Sequence, residues 1–204
     1  QGRFIAKNNV KPEISRVNKV GEVAPHNYDL IAHPPSTYAQ EKLKYGQRAK
    51  LAKSFIFNNS LNEFFDGEIK EIGLIVQGGL YNNLISALEE MDMSDNLGNT
   101  KISIYVLNIV HPLIPEEVIS YAKKFKALLV IEEGQPQYIE QELGLLFHKE
   151  QIKVNLAGKD VLPMAGEYTS EVIHKGVFNF IKKYIPDFSN FSNLDYNTEI
   201  DQLR

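Results

Sequence analysis

The sequence predicts a three-layer α/β/α sandwich built on a mostly parallel sheet of about five strands. Three observations predict it. Short aliphatic runs recur between residues 72 and 156, too apolar throughout to alternate. Such runs are the mark of strands buried on both faces. Stretches of helical periodicity separate them, and this alternation implies right-handed crossovers between parallel strands. The chain has 204 residues, 43% of them hydrophobic, enough for one domain with extensions.

The elements follow in order. Residues 1 to 35 lack sustained periodicity and are punctuated by Pro12, Pro25, Pro34 and Pro35. Each proline fixes φ and removes a backbone donor, so this stretch reads as an extended arm or inter-domain linker. Residues 36 to 65 read as a polar helix carrying Leu43, Leu51, Phe55 and Ile56, with Tyr45-Gly46 as its weak point. Ile72 to Val76 is the first strand. A helix from Tyr81 to Met91 carries Leu84 and Leu88 on one face. Ile102 to Val110 is a second strand. Pro115 opens a helix at its first position, where its missing N–H costs nothing. Glu116 and Glu117 suit that helix's start, and Lys123, Lys124 and Lys126 its end. Leu128 to Ile131 is a third strand. Pro136 opens a helix in which Ile139, Leu143 and Leu146 share one face. Ile152 to Leu156 is a fourth strand. Thr169 caps a last helix that turns Ile173, Val177 and Phe180 inward. The domain therefore occupies residues 36 to 185, and the polar residues 186 to 204 read as a tail or linker.

Composition narrows the function. A net charge of −4 gives no footprint for nucleic acid. No apolar run reaches about eighteen residues, so no membrane span is expected, nor does residue 1 onward resemble a signal peptide. The absence of cysteine removes disulfides, thiolate nucleophiles and Cys-ligated clusters from this stretch and suits a reducing cytoplasm. The chain starts at Gln1 rather than Met, as a piece of a longer protein would.

Ligands of an open parallel sheet bind beyond the carboxyl ends of its strands, and three loops belong there. The first holds Gly78, Gly79 and Tyr81. Its glycines permit close backbone approach, and its helix start could hold an anion. Its spacing matches neither the dinucleotide fingerprint nor the phosphate loop, so a tight strand-to-helix turn is the plainer reading. The second holds Glu132 and Glu133. Adjacent carboxylates could serve as acid and base or bind a metal, but neighbouring strand residues point to opposite faces. Helix-start acids with a partner-facing hydrogen bond are the simpler account. The third holds His111-Pro112, where a hydrogen-bonding histidine in an extended turn is expected. The remaining histidines show no ligand spacing. A later loop, from Gly158-Lys159-Asp160 to Thr169, offers Lys159 for a phosphate or carboxylate, with a surface salt bridge the simpler expectation. No G-x-S-x-G elbow supports serine catalysis.

Four segments carry a resemblance: IGLIVQGGLYNNLISALEEM (72 to 91), VLNIVHPLIPEEVI (106 to 119), LLVIEEGQPQYIEQEL (128 to 143) and LAGKDVLPMAGEYTSEVI (156 to 173). In this order and spacing they resemble the middle domain of the alpha subunit of indolepyruvate ferredoxin oxidoreductase. That domain is similar to the carboxy-terminal domain of transketolases and the pyruvate dehydrogenase family. The resemblance implies about five strands with one antiparallel at an edge. It also implies a parent enzyme that oxidatively decarboxylates 2-oxoacids with thiamine diphosphate, magnesium, coenzyme A, iron–sulfur clusters and ferredoxin. Thiamine diphosphate sits in that family between two other domains, one marked by a G-D-G…N-N motif. Here Asp66-Gly67 follows Phe65 with no matching downstream pair. The resemblance therefore transfers no catalytic, cofactor or metal residue. It implies a structural role beside the thiamine-binding domains and the enzyme's other subunit, with exposed apolar surface or self-association as the consequence. Two alternatives stay open: a free-standing flavodoxin-like module for a nucleotide or flavin, and an oligomerisation domain with no enzymatic parent.

Overall fold

The computed structural model describes residue 27, residues 30 to 95 and residues 98 to 187. The expected arm and tail lie mostly outside these residues.

The first helical stretch is one rod in three parts: α1 (Ser36–Leu43), a π turn (Lys44–Arg48) and α2 (Ala49–Asn58). The helix does not break at Tyr45-Gly46. It widens there into a π turn, a known way of absorbing an extra residue. The expectation of helix to residue 65 fails after Asn58. Asn59 donates from its side-chain amide to the Phe55 carbonyl, and Ser60 takes a positive φ of 48°. The chain then turns into a short strand, β1 (Glu63–Phe65). The Asn-Asn-Ser sequence ahead of it is turn chemistry that outweighs the apolar spacing.

The remaining elements alternate as expected: β2 (Ile69–Gln77), α3 (Tyr81–Glu90), β3 (Ile102–Leu107), α4 (Pro115–Ala122), β4 (Ala127–Ile131), α5 (Tyr138–Lys149), β5 (Asn155–Ala157) and α6 (Ser170–Tyr184). A single 3₁₀ turn, Gly78–Leu80, joins β2 to α3. Some bounds move. β3 stops at Leu107 rather than residue 110, and α5 begins two residues after Pro136, behind Gln137. Pro115 does occupy the first turn of α4, and Thr169 caps α6 by accepting from the Val172 N–H.

The five strands form one sheet in the order β1-β3-β2-β4-β5. β3, β2, β4 and β5 are parallel, with Leu74 opposite both Ile104 and Leu129. β1 is the antiparallel edge, placing Phe64 opposite Tyr105. Helices cover both faces, giving the three layers. Ile72, Leu74, Val76, Ile104 and Leu129 point to one side and meet α3 and α6. Ile75, Tyr105, Leu128 and Val130 point to the other and meet α4 and α5. The period of two along each strand produces this division. β2, β3 and β4 are covered on both sides, which is why their sequences read as unbroken apolar runs.

Candidate functional site

The strand order fixes where a site can form. From β2 the chain crosses to β3 through α3, and from β4 it crosses to β5, on the other side of β2, through α5. The connections leaving β2 and β4 therefore part in opposite directions, and the gap between them is the topological switch point. An open cleft of about 880 Å³ lies there. Its walls come from Gln77 at the end of β2, Val110 and His111 after β3, Glu132 to Pro136 after β4, and Tyr138, Glu142 and Leu145 of α5. Of the sequence-derived candidates, the cleft gathers His111, Glu132 and Glu133. It does not gather Gly78, Gly79, Tyr81 or Lys159.

Glu132 is buried, at 7% exposure. Its Oε1 accepts from the Ile139 N–H at 2.9 Å, and its Oε2 accepts from Ile139 at 3.0 Å and Glu140 at 3.2 Å. The start of α5 has no cap from its own flanking residue Gln137. Glu132 supplies it from six positions upstream of the helix, placing negative charge where the helix dipole favours it. Glu133 turns the other way. Its Oε2 accepts from the Tyr168 N–H at 2.7 Å, and its own N–H donates to Gln77 Oε1 at 3.3 Å, across the switch point. The two carboxylates thus serve separate partners, as the alternation of side chains along a strand requires.

Lys159 forms the hub behind the cleft. Its ammonium donates to the Glu132 carbonyl at 2.6 Å and to the Tyr168 hydroxyl at 2.7 Å, and it lies 4.5 Å from the centre of the Tyr168 ring. Its backbone N–H donates to Glu140 Oε2 at 3.0 Å. The expected surface salt bridge is therefore not what forms. Two segments bring an acceptor to the ammonium, and a third, α5, brings one to the backbone N–H of the same residue. Burial lowers the Lys159 pKa, against the charges of Glu132, Glu140 and Glu133, which raise it. Burial and those same carboxylates push the Tyr168 hydroxyl up to about 12, so at neutral pH it is a donor, to the Pro163 carbonyl at 2.5 Å. The Gly-Lys-Asp triplet is legible in this light. A Cβ on Gly158 would run into the Glu140 carboxylate. Asp160 accepts from the Gly158 N–H at 2.8 Å and from Lys183 at 2.9 Å.

The Gly78 loop is set by packing. A Cβ there would stand 2.8 Å from Asn108 Oδ1 and 3.2 Å from the Leu107 carbonyl. Gly79 is exposed, while Tyr81 turns into the core, 5% exposed, with its ring 5.4 Å from that of Phe65. His111 is not the hydrogen-bonded turn residue expected. Its side chain is 80% exposed and stands 3.9 Å from Glu142. Sequence reasoning placed Gln77 in the first candidate loop but missed Tyr138, Glu142 and Leu145. The signal was available for α5, because Tyr138, Glu142 and Leu145 fall at i, i+4, i+7 on one helix face.

The chemistry of the cleft follows. It is lined by three glutamates and no lysine or arginine. A diphosphate or a flavin phosphate would enter against like charge and find no cationic partner. Glu132 accepts backbone hydrogen bonds on both oxygens and Glu133 on one, and the two turn to separate partners, so they do not present a ready pair of magnesium ligands. The residues present do not fit thiamine diphosphate or its metal. Among the described residues, no group of three His, Cys, Asp or Glu is placed to hold a metal, and no helix is long and apolar enough to cross a membrane.

No family model matches the chain. It is 25% identical over 122 residues to "Indolepyruvate oxidoreductase subunit IorA" of Methanothermobacter thermautotrophicus, a stretch covering 58% of this chain and 18% of that protein. The chain therefore spans less than a fifth of the length of this curated relative. A solved structure, "Split gene transketolase, inactive beta4 tetramer", superposes with a TM-score of 0.44 at 14% identity, covering 60% of this chain and 43% of that one. The sequence similarity thus falls on a subunit of the same oxidoreductase that the four sequence segments resemble.

Proposed function

We propose that this chain is a non-catalytic assembly domain of a thiamine-diphosphate-dependent 2-oxoacid oxidoreductase of the indolepyruvate type. The observation that carries this reading is the state of the switch-point carboxylates. Glu132 is buried with both oxygens on the backbone N–H groups that start α5, and Glu133 gives one oxygen to the loop before α6. A general acid or base needs a carboxyl that can reach a substrate proton. Here those groups bind the domain's own loops together and give the cleft its shape. Sequence similarity to an oxidoreductase subunit supports the choice of parent. In this reading thiamine diphosphate, magnesium, iron–sulfur clusters and coenzyme A act on the thiamine-binding domains and the other subunit, with ferredoxin as the electron acceptor and the cytoplasm as the location. This domain positions its neighbours. The flavodoxin-like alternative is disfavoured by the acidic cleft, which offers a phosphate no cation.

Thermal unfolding of the chain with thiamine diphosphate plus magnesium, flavin mononucleotide or coenzyme A, each added singly, tests the reading. A ligand at one hundred times its dissociation constant stabilises by about 2.7 kcal/mol, a shift of about 5–11 °C at this size. The proposal expects no shift with any of them. A clear shift with one would contradict it and make the chain a ligand-binding module in its own right.

A further inference from the structure

The rod α1–α2 is the least covered part of the described molecule. α1 and the π turn bury no residue, and α2 buries only Ile56. One side of α2 rests on the domain, where Lys53 and Phe57 border a groove shared with Ile114 and Pro115. The opposite side carries Leu51 and Phe55, and Arg48, the last residue of the π turn, lies in line with them at i, i+3, i+7. Leu51 and Phe55 are each 61% exposed. An apolar pair this open, on a helix this lightly held, calls for a covering surface. The rod is also strongly basic. It holds Lys42, Lys44, Arg48, Lys50 and Lys53 against Glu41 alone, a net of +4 in a chain whose net is −4.

The switch-point cleft has the opposite character. Its mouth presents Glu133 and Glu142 with no lysine or arginine in the lining and His111 3.9 Å from Glu142, and it exposes Val110 at 38%, Tyr138 at 68% and Leu145 at 53%. It is an acidic, half-apolar concavity large enough for several side chains. A basic helix face with two apolar anchors matches it in charge and in kind.

We propose that the cleft of one copy receives the outward face of α2 from a second copy. Leu51 and Phe55 enter against Tyr138 and Leu145, and Arg48 meets Glu142. Each copy offers both a helix and a cleft, so two copies close a reciprocal two-fold pair with neither surface left open. The inference goes beyond the assembly reading and does not depend on which enzyme the chain serves. It concerns association of the chain with itself, and the ligand experiment above neither requires nor excludes it.

Sedimentation equilibrium of the 204-residue chain, over micromolar to high micromolar concentration, reads the association directly. The wild-type chain is expected to dimerise. Arg48→Glu alone, and Glu142→Arg alone, are each expected to weaken the dimer by on the order of tenfold or more, because each sets like charges against each other at both contacts. Mixing the two variants restores opposite charges at one contact and leaves the other as in the wild type. The equimolar mixture is therefore expected to regain dimer at near wild-type affinity. Both positions are solvent-exposed, and unchanged circular dichroism and melting temperature confirm that each variant folds. A wild-type chain that stays monomeric throughout overturns the proposal. So does a dimer that neither variant weakens, or a mixture no tighter than the separate variants.

Discussion

The two helical layers cover the same sheet in different ways. On the α3/α6 side, Leu84, Leu88, Ile173, Val177 and Phe180 are fully buried against Leu74 and Ile104, and the contact is apolar apart from buried His174 of α6, which meets Glu90 of α3 at 3.1 Å. On the α4/α5 side, the buried residues include Tyr105, Tyr121 and Glu117. Tyr105 donates to Glu117 Oε2 at 2.7 Å, Asn62 donates to the same oxygen at 2.9 Å, and Tyr121 donates to the carbonyls of Ser103 and Leu74. Phe64 stacks on Tyr105 with ring centres 4.4 Å apart while remaining 45% exposed. One layer is sealed by apolar volume. The other is fastened by directed hydrogen bonds, leaves aromatic edges in solvent, and borders the cleft. The difference teaches that one sheet can be closed on one face by packing and on the other by directed hydrogen bonds that leave aromatic surface in reach of solvent.

Substitutions sharpen that contrast. Phe180→Ala should cost the most, about 3–5 kcal/mol, since a large fully buried ring leaves a cavity. Chemical denaturation reads it, and association of the folded fraction should not change. Tyr105→Phe removes no volume from the opposite layer. It should still cost about 1–3 kcal/mol, because buried Glu117 keeps only Asn62 as a neutral donor. If this variant proves as stable as the wild type, the α4/α5 face is held by packing after all. Lys159→Met keeps the aliphatic stem but strips the Glu132 carbonyl and the Tyr168 hydroxyl of a shared donor. A loss of about 1–3 kcal/mol is expected, with faster amide exchange at Tyr168, whose N–H depends on Glu133 remaining in place.

The smallest effect is one of pH. Burial alone would raise the Asp160 pKa, but the Gly158 N–H and the Lys183 ammonium outweigh it and hold the carboxyl below its ordinary value. A depressed folded pKa means that the unfolded chain binds the proton more readily. The stabilisation is full at neutral pH, declines below the unfolded value of about 3.9, and is gone once pH falls through the folded value. Asp160→Asn should therefore flatten the acid limb of the stability profile slightly while leaving the alkaline limb unaltered. An unchanged acid limb would mean that this exposed pair contributes nothing.

The parallel core was legible in the sequence because its physics is local. Ile72 to Val76 and Leu128 to Ile131 are buried on both faces, so their composition alone marks them. Pro115 and Thr169 announce helix starts through backbone chemistry that needs no tertiary partner. The site was legible only in part. That Glu132 and Glu133 would diverge follows from strand alternation. That Glu132 would cap a helix six residues onward, or that Lys159 would answer to a carbonyl and a phenol rather than a carboxylate, depends on loops meeting in space. β1 escaped for a related reason. Glu63 to Phe65 has too few residues to show a period, and it becomes a strand by pairing with β3. His111 misled because the spacing around a proline says nothing about whether the side chain faces solvent.

The central claim is that the α2 and cleft side exists to meet protein, while the glycine loop after β2 is a packing device. Amide hydrogen exchange tests it most directly. The chain would be measured dilute, concentrated, mixed with the thiamine-binding domains of the oxidoreductase, and with thiamine diphosphate plus magnesium alone. The account predicts new protection in α2 and at residues 132 to 145 when protein is added, with α3 and α6 unchanged and no response to the cofactor. Protection of the Gly78 to Tyr81 loop by the cofactor alone, with α2 and the cleft unaffected by any protein, would contradict it.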